Sequence, residues 1–200
     1  MKYFEVKPII DGAWHLFPDE RWQCLKTGKS DKIWNYTKCQ IVNDMTPVLF
    51  VQKYQTGCFP VEFNCPLWVN PLVTHRVADA IKQLSPNDIQ RVPAKIEGEA
   101  DEWEVLNILN LVDCLDYEYS KMTYKPFEED KTQENILGFL KLVIDPEKVG
   151  DHHIFRMNPK MNRIIISETL LCTLREMQVT GLQVINVTDK YGDKYFNCEE

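Results

Sequence analysis

Residues 163–187, RIIISETLLCTLREMQVTGLQVINV, carry their own boundaries and decide the fold class. Ile164, Ile165 and Ile166 are consecutive β-branched residues, the composition of a strand buried on both faces. Ser167 stops that strand with a hydroxyl of the kind that caps a helix by accepting a hydrogen bond from an orphaned N–H. Glu168 adds negative charge to the positive first turn. Leu170, Leu171, Leu174 and Met177 follow on one helical stripe. Thr180-Gly181 then ends the helix, because glycine enters the left-handed region without steric cost. Leu182 to Val187 runs out as a second strand.

The same plan occurs upstream. Leu67-Trp68-Val69 is an apolar run, Asn70 is a cap residue, and Pro71 is pre-organised for the first helical position. Val73, Val77, Ala80, Ile81 and Leu84 repeat with helical period, and Ser85-Pro86-Asn87 breaks the helix. Ile89 to Ile96, IQRVPAKI, is the returning strand, with Pro93 marking an edge position. The reading is an α+β fold, a mixed β-sheet with flanking helices, containing two similar strand–helix–strand units at about 67–96 and 163–187. Internal duplication and ordinary α/β punctuation both account for the repetition.

A chain of 200 residues suffices to bury a sizeable core, and 44% hydrophobic residues is a globular value. No apolar run approaches the length of a membrane span. The opening MKYFEVKPIIDGAWH has an early acid and no long apolar core, so no secretory signal is expected. Seven single, scattered cysteines fit reduced thiols in the cytoplasm. The net charge of −7 is unevenly placed: residues 97–130 hold eleven acids against Lys121 and Lys125, a local −9 that leaves +2 for the remainder. That distribution argues against direct nucleic-acid binding and fits either a solubilising surface or a face for a basic protein.

Residues 1–62 are the least regular. Tyr3 to Ile10 reads as a strand, and Trp14, Trp22 and Trp34 read as aromatic anchors pinning loops to a core. Val48 to Tyr54 is a better strand, with Val61-Glu62-Phe63 beyond Gly57 as its hairpin partner. In Trp103 to Ser120 both periodicities fit incompletely; the reading favoured is a strand to about Leu109 and a helical turn through Cys114-Leu115. Leu140 to Ile144 alternates as a strand, Asp145-Pro146-Glu147 opens a helical turn, and Ile154 to Met157 is a strand turning through Asn158-Pro159-Lys160.

The order VDCLDYEYS (Val112–Ser120), the IDPEK turn (Ile144–Lys148), IFRM (Ile154–Met157) and IIISETLLCTLREMQVTGLQV (Ile164–Val184) resembles the bacterial polymorphic-toxin immunity proteins of family eleven, formerly a domain of unknown function. PLWVNPLVTHRVADAIKQ (Pro66–Gln83) is similar to that family's N-terminal helix unit. The resemblance covers about residues 60–187 and implies one immunity-type domain over 1–200: an irregular, aromatic-anchored stretch over 1–62, a core over 63–187 and a polar tail over 188–200. It implies a cytoplasmic, non-enzymatic antidote, expressed beside a toxin, that binds and blocks the toxin's active domain. Asp113, Asp116, Ser120, Arg156, Ser167 and Gly181 match family positions. Ser167 and Gly181 read as caps, Asp113 and Asp116 either cap a turn or face the partner, and Arg156 pairs with one of those carboxylates or faces the partner.

The candidate partner-binding residues are therefore Glu99, Asp101, Glu102, Glu104, Asp113, Asp116 and Glu118, set against a toxin with a basic surface; Asn70, Pro71, Ser167, Gly181 and Arg156 are read as structural. No catalytic residues, metal or cofactor are expected, and neither nucleic acid nor membrane is a partner. His152-His153 points to opposite faces of an extended chain and reads as a solvated loop. The alternatives are a general interaction module, or an enzyme pairing Cys58 with His75 or His153.

Overall fold

The computed structural model describes residues 1–7, 16–18, 36–52, 60–65, 70–126 and 130–191. Trp14, Trp22, Trp34, Gly57, Cys58 and the run Leu67-Trp68-Val69 lie outside these residues. In chain order the elements are β1 (Tyr3–Lys7), β2 (Leu16–Pro18), β3 (Val48–Gln52), β4 (Phe63–Asn64), β5 (Leu72–Thr74), α1 (His75–Leu84), β6 (Ile89–Ile96) and β7 (Trp103–Ile108). There follow β8 (Leu111–Val112), β9 (Lys121–Tyr124), β10 (Ile136–Lys141), β11 (Ile154–Met157), β12 (Ile164–Ser167), α2 (Glu168–Glu176) and β13 (Gln183–Asn186). Among the described residues two helices and many strands in mixed sheets make the fold α+β and mostly sheet, as the two strand–helix–strand units predict.

The three isoleucines of β12 set the layering. Ile164 and Ile166 face one apolar cluster while Ile165 faces another, so this strand is buried on both sides. β12 lies inside a five-stranded sheet ordered β13-β1-β12-β11-β8; a six-stranded sheet runs β2-β3-β6-β7-β5-β4, and β10-β9 form a separate hairpin. One face of each large sheet meets α1 and α2 in a shared cluster that includes Val77, Ile81, Leu106, Ile108, Leu170 and Leu174. The other face of the six-stranded sheet packs Phe50, Val92, Trp103 and Val105. The other face of the five-stranded sheet packs Tyr3, Leu115, Phe155 and Ile165, with the β9–β10 hairpin over it.

The two units share a topology. β5 and β6 both run antiparallel to β7, which lies between them; β12 and β13 likewise bracket β1. Each helix therefore crosses over a third strand to bring its two strands parallel, and α1 and α2 pack against each other.

Local chemistry explains the ends, and several differ from the sequence reading. Ser167 Oγ accepts the Leu170 N–H at 3.1 Å, the expected cap. α2 stops at Glu176, earlier than Thr180-Gly181: Gln178 takes the left-handed conformation (φ 56°) and the Val179 N–H returns to the Leu174 carbonyl. Asn70 and Pro71 do not start α1. They precede the short strand β5, and Thr74 is the cap residue, while the His75 N–H donates to the Glu102 carbonyl. Pro93 sits in an interior strand, tolerated because β6 pairs with β3 only from Ala94 onward. β3 pairs with β2 and β6; Phe63 pairs instead with Val73 at the opposite edge, so no β3–β4 hairpin exists. Cys114-Leu115 is extended, with Leu115 bridging Ile144, and the turn comes later at 117–119. Asp145 caps the Pro146–Lys148 turn through the Glu147 N–H, as its spacing predicts.

Candidate partner-binding site

β7 divides the acidic segment. It carries the chain through the sheet buried at all six residues, a length of roughly 20 Å, and so leaves acids at both of its ends rather than on one face. At the first end, Gly98 (φ 87°) closes the β6–β7 turn, whose Glu97, Glu99, Asp101 and Glu102 are all exposed. At the second, Asp113 and Glu118 are exposed and Asp116 is half-buried.

Glu104 belongs to the interior of the first end. It is buried on β7, accepts from Arg91 through Nε and Nη2, and its Oε1 lies 2.7 Å from His75 Nδ1. Arg91 also donates to Asp79, and these carboxylates hold its guanidinium above the ordinary range. The strand pattern carried this signal: an acid inside a fully buried strand needs a cation, and Arg91 stands on the neighbouring strand two residue pairs from it.

Asp116 resolves to a cap. Its Oδ1 accepts the N–H groups of Glu118 (3.1 Å) and Tyr119 (3.2 Å), and its Oδ2 lies 3.3 Å from Lys190 Nζ. Ser120 stitches the same region to the chain after β10, accepting the Val143 N–H and donating to the Val143 carbonyl, both at 3.0 Å. Arg156 does not pair with Asp113 or Asp116. It is fully buried on β11, donating Nη2 to Asn70 Oδ1 and Nη1 to the Met161 carbonyl, both at 2.6 Å. Burial pushes its guanidinium down from the usual range.

The sequence reading missed Asp88, which ties the two sheets. It accepts from the His153 N–H and from Asn110 Nδ2, and its Oδ1 is 3.0 Å from His152 Nδ1; His153 Nδ1 lies 2.8 Å from Ser167 Oγ. His152-His153 is therefore a built corner and not a solvated loop. No local pattern marks it, because its partner is more than sixty residues away. Burial pushes the Cys65 thiol up to about 12, which leaves no thiolate nucleophile there at neutral pH. Among the described residues no group of three or more His, Cys, Asp or Glu side chains is placed to hold a metal, and no helix is long and apolar enough to cross a membrane.

Residues 39–189, about three quarters of the chain, match the Immunity protein family (Imm11). The chain belongs to that family. The match starts about twenty residues before the resemblance read from motifs, and so takes in β3 and the irregular residues 39–47 that lead to it. No curated protein matches the chain. Within the Imm11 span fall all seven candidate acids and both strand–helix–strand units, while β1 and β2, which belong to the same two large sheets, precede it.

Proposed function

We propose that this Imm11 protein neutralises a cognate toxin by binding its active domain in the cytoplasm of the producing cell, without catalysing a reaction. The family match over residues 39–189 carries this reading. A solid framework suits that role. Three apolar clusters and buried ties such as Arg156–Asn70 hold the two large sheets that carry the edge turns, and a framework already ordered lowers the cost of association.

The acidic turns are its candidate contacts. Glu99, Asp101 and Glu102 project from the β6–β7 turn, and Asp113 and Glu118 from the loop after β8; Glu104 and Asp116 hold those turns in place from behind. Exposed carboxylates at a rim steer a basic partner and speed encounter more than they anchor it. Changing Glu99, Asp101 and Glu102 together to lysine is expected to leave the melting temperature within a few degrees of wild type. Association with the toxin domain should slow by roughly tenfold or more at low salt, and added salt should no longer slow it. Stopped-flow association rates across ionic strength check this. An unchanged rate with unchanged salt dependence removes the β6–β7 turn from the interface.

A further inference from the structure

The strand β10, ILGFLK, contains a spacing that a regular strand cannot accommodate. Ile136 is buried and Phe139 packs on the cluster beneath the hairpin, yet they are three residues apart, and an odd spacing puts side chains on opposite faces. The register against β9 shows how this is solved. It slips between Ile136 and Gly138 and again between Phe139 and Lys141, so Leu137 and Leu140 are the extra residues of two irregularities. The bulges turn Ile136 and Phe139 inward and leave the two leucines outward, 62% and 67% exposed. Neither leucine contributes to the described core.

On the two strands themselves the charged side chains are lysines. Lys121 and Lys141 are direct register partners, and Lys141 Nζ donates to the Lys190 carbonyl at 2.7 Å. Lys125 follows β9 near Leu137, its N–H bonded to the Asn135 carbonyl. Lys160 is packed close enough that burial, and then the charges of Lys125 and Arg163, push its ammonium down. Arg163 is neutralised by Glu5, and Asp130 and Glu134 stand at the far end of the hairpin, beyond Leu137. The bulges also make β10 a poor template for another strand, so recognition here runs through side chains and not through a shared sheet.

We infer that the β9–β10 hairpin is the anchor of the toxin interface, with Leu137 and Leu140 entering an apolar pocket whose rim supplies carboxylates to Lys121, Lys125 and Lys141. This rests on the immunity reading and adds to it the element that holds the partner once the acidic turns have steered it. Two outward leucines beside lysines on both strands form a small apolar surface in the free protein, and an apolar pocket with a carboxylate rim on the toxin, apart from the basic surface that meets the acidic turns, covers the leucines and pairs the lysines at once.

The test is titration calorimetry of the full chain with the toxin domain encoded beside it. Burying a leucine changes affinity by roughly 10- to 100-fold, so L137S/L140S is expected to bind at least about 100-fold more weakly with an unchanged melting temperature. K121E/K141E is expected to weaken binding by roughly tenfold, and salt should then strengthen the residual affinity where it weakens the wild type's. Wild-type binding that L137S/L140S and K121E/K141E both reproduce within twofold overturns the hairpin inference alone. A wild-type chain that binds no toxin overturns the immunity reading and this inference together. A wild-type dimer that L137S/L140S converts to monomer, at unchanged toxin affinity, overturns it in favour of self-association.

Discussion

Arg156→Ala is expected to remove about 3–5 kcal/mol of stability, the range for breaking a buried charged network and opening a cavity at once. The guanidinium is fully buried and gives one nitrogen to Asn70 and another to the Met161 carbonyl. Alanine leaves the Asn70 oxygen, itself buried, without this donor, at a desolvation cost of about 1–3 kcal/mol. It also releases the segment before β5 from β11, a link spanning 86 residues that joins the two large sheets. For a chain of this size the melting temperature should fall by roughly 10 °C or more. Arg156→Met separates the causes, since it fills the space but donates nothing; a loss of about 1–3 kcal/mol identifies the hydrogen bonds as the remaining cause. A melting temperature for Arg156→Ala within two degrees of wild type would show that these bonds do not hold the sheets together.

Gly181→Ala is expected to be comparably damaging, by about 3–5 kcal/mol, for a different reason. Gly181 has φ +90°, where an L side chain is strained, and a Cβ built on it would lie 2.4 Å from the Phe63 carbonyl oxygen and 2.6 Å from Val61 Cβ. The nearest atom is backbone, so the relief must come from moving β4. That strand is tied here by the Phe63 N–H to the Thr180 carbonyl and by the Glu62 N–H to Thr180 Oγ1. Gly98 is the internal control: its φ is +87° but nothing lies within 4 Å of the added Cβ, so Gly98→Ala should cost only the conformational share, about 1–2 kcal/mol. Chemical denaturation of the three proteins measures the difference. Equal losses for the two alanines would mean that close approach to β4 contributes nothing.

These two residues show what was legible in the sequence and what was not. Gly181 stands out as a glycine after a helix stripe, and the inference of a positive φ was sound. Its assignment as the helix stop was not, because Gln178 turns the chain first and only the neighbouring strand explains the glycine. β12, α2 and β13 were readable because each boundary is written within a few residues: three isoleucines, a serine that caps three positions ahead, a leucine stripe. The first unit was misjudged at its start because Asn70-Pro71 imitates a cap and a first helical residue. Asn70 instead serves Arg156, a partner invisible to any local window.

The acidic segment is divided in space for a related reason. Charge counted along the chain says nothing of where a buried strand carries it, and β7 separates the acids of 97–102 from those of 113–118. Glu104 and Asp116 were then claimed by Arg91 and by a turn, while Glu99, Asp101, Glu102, Asp113 and Glu118 stayed at the surface. Leu137 and Leu140 were hidden by the bulges, which reverse the alternation from which a strand's faces are read.

The most direct measurement is growth of cells expressing the polypeptide encoded immediately beside this gene, with and without this protein, together with recovery of the pair as one complex. Expected are arrested growth from the neighbour alone, restored growth with this Imm11 chain, and a stable complex of the two. A neighbour that is toxic yet neither bound nor relieved by this chain would contradict the immunity reading.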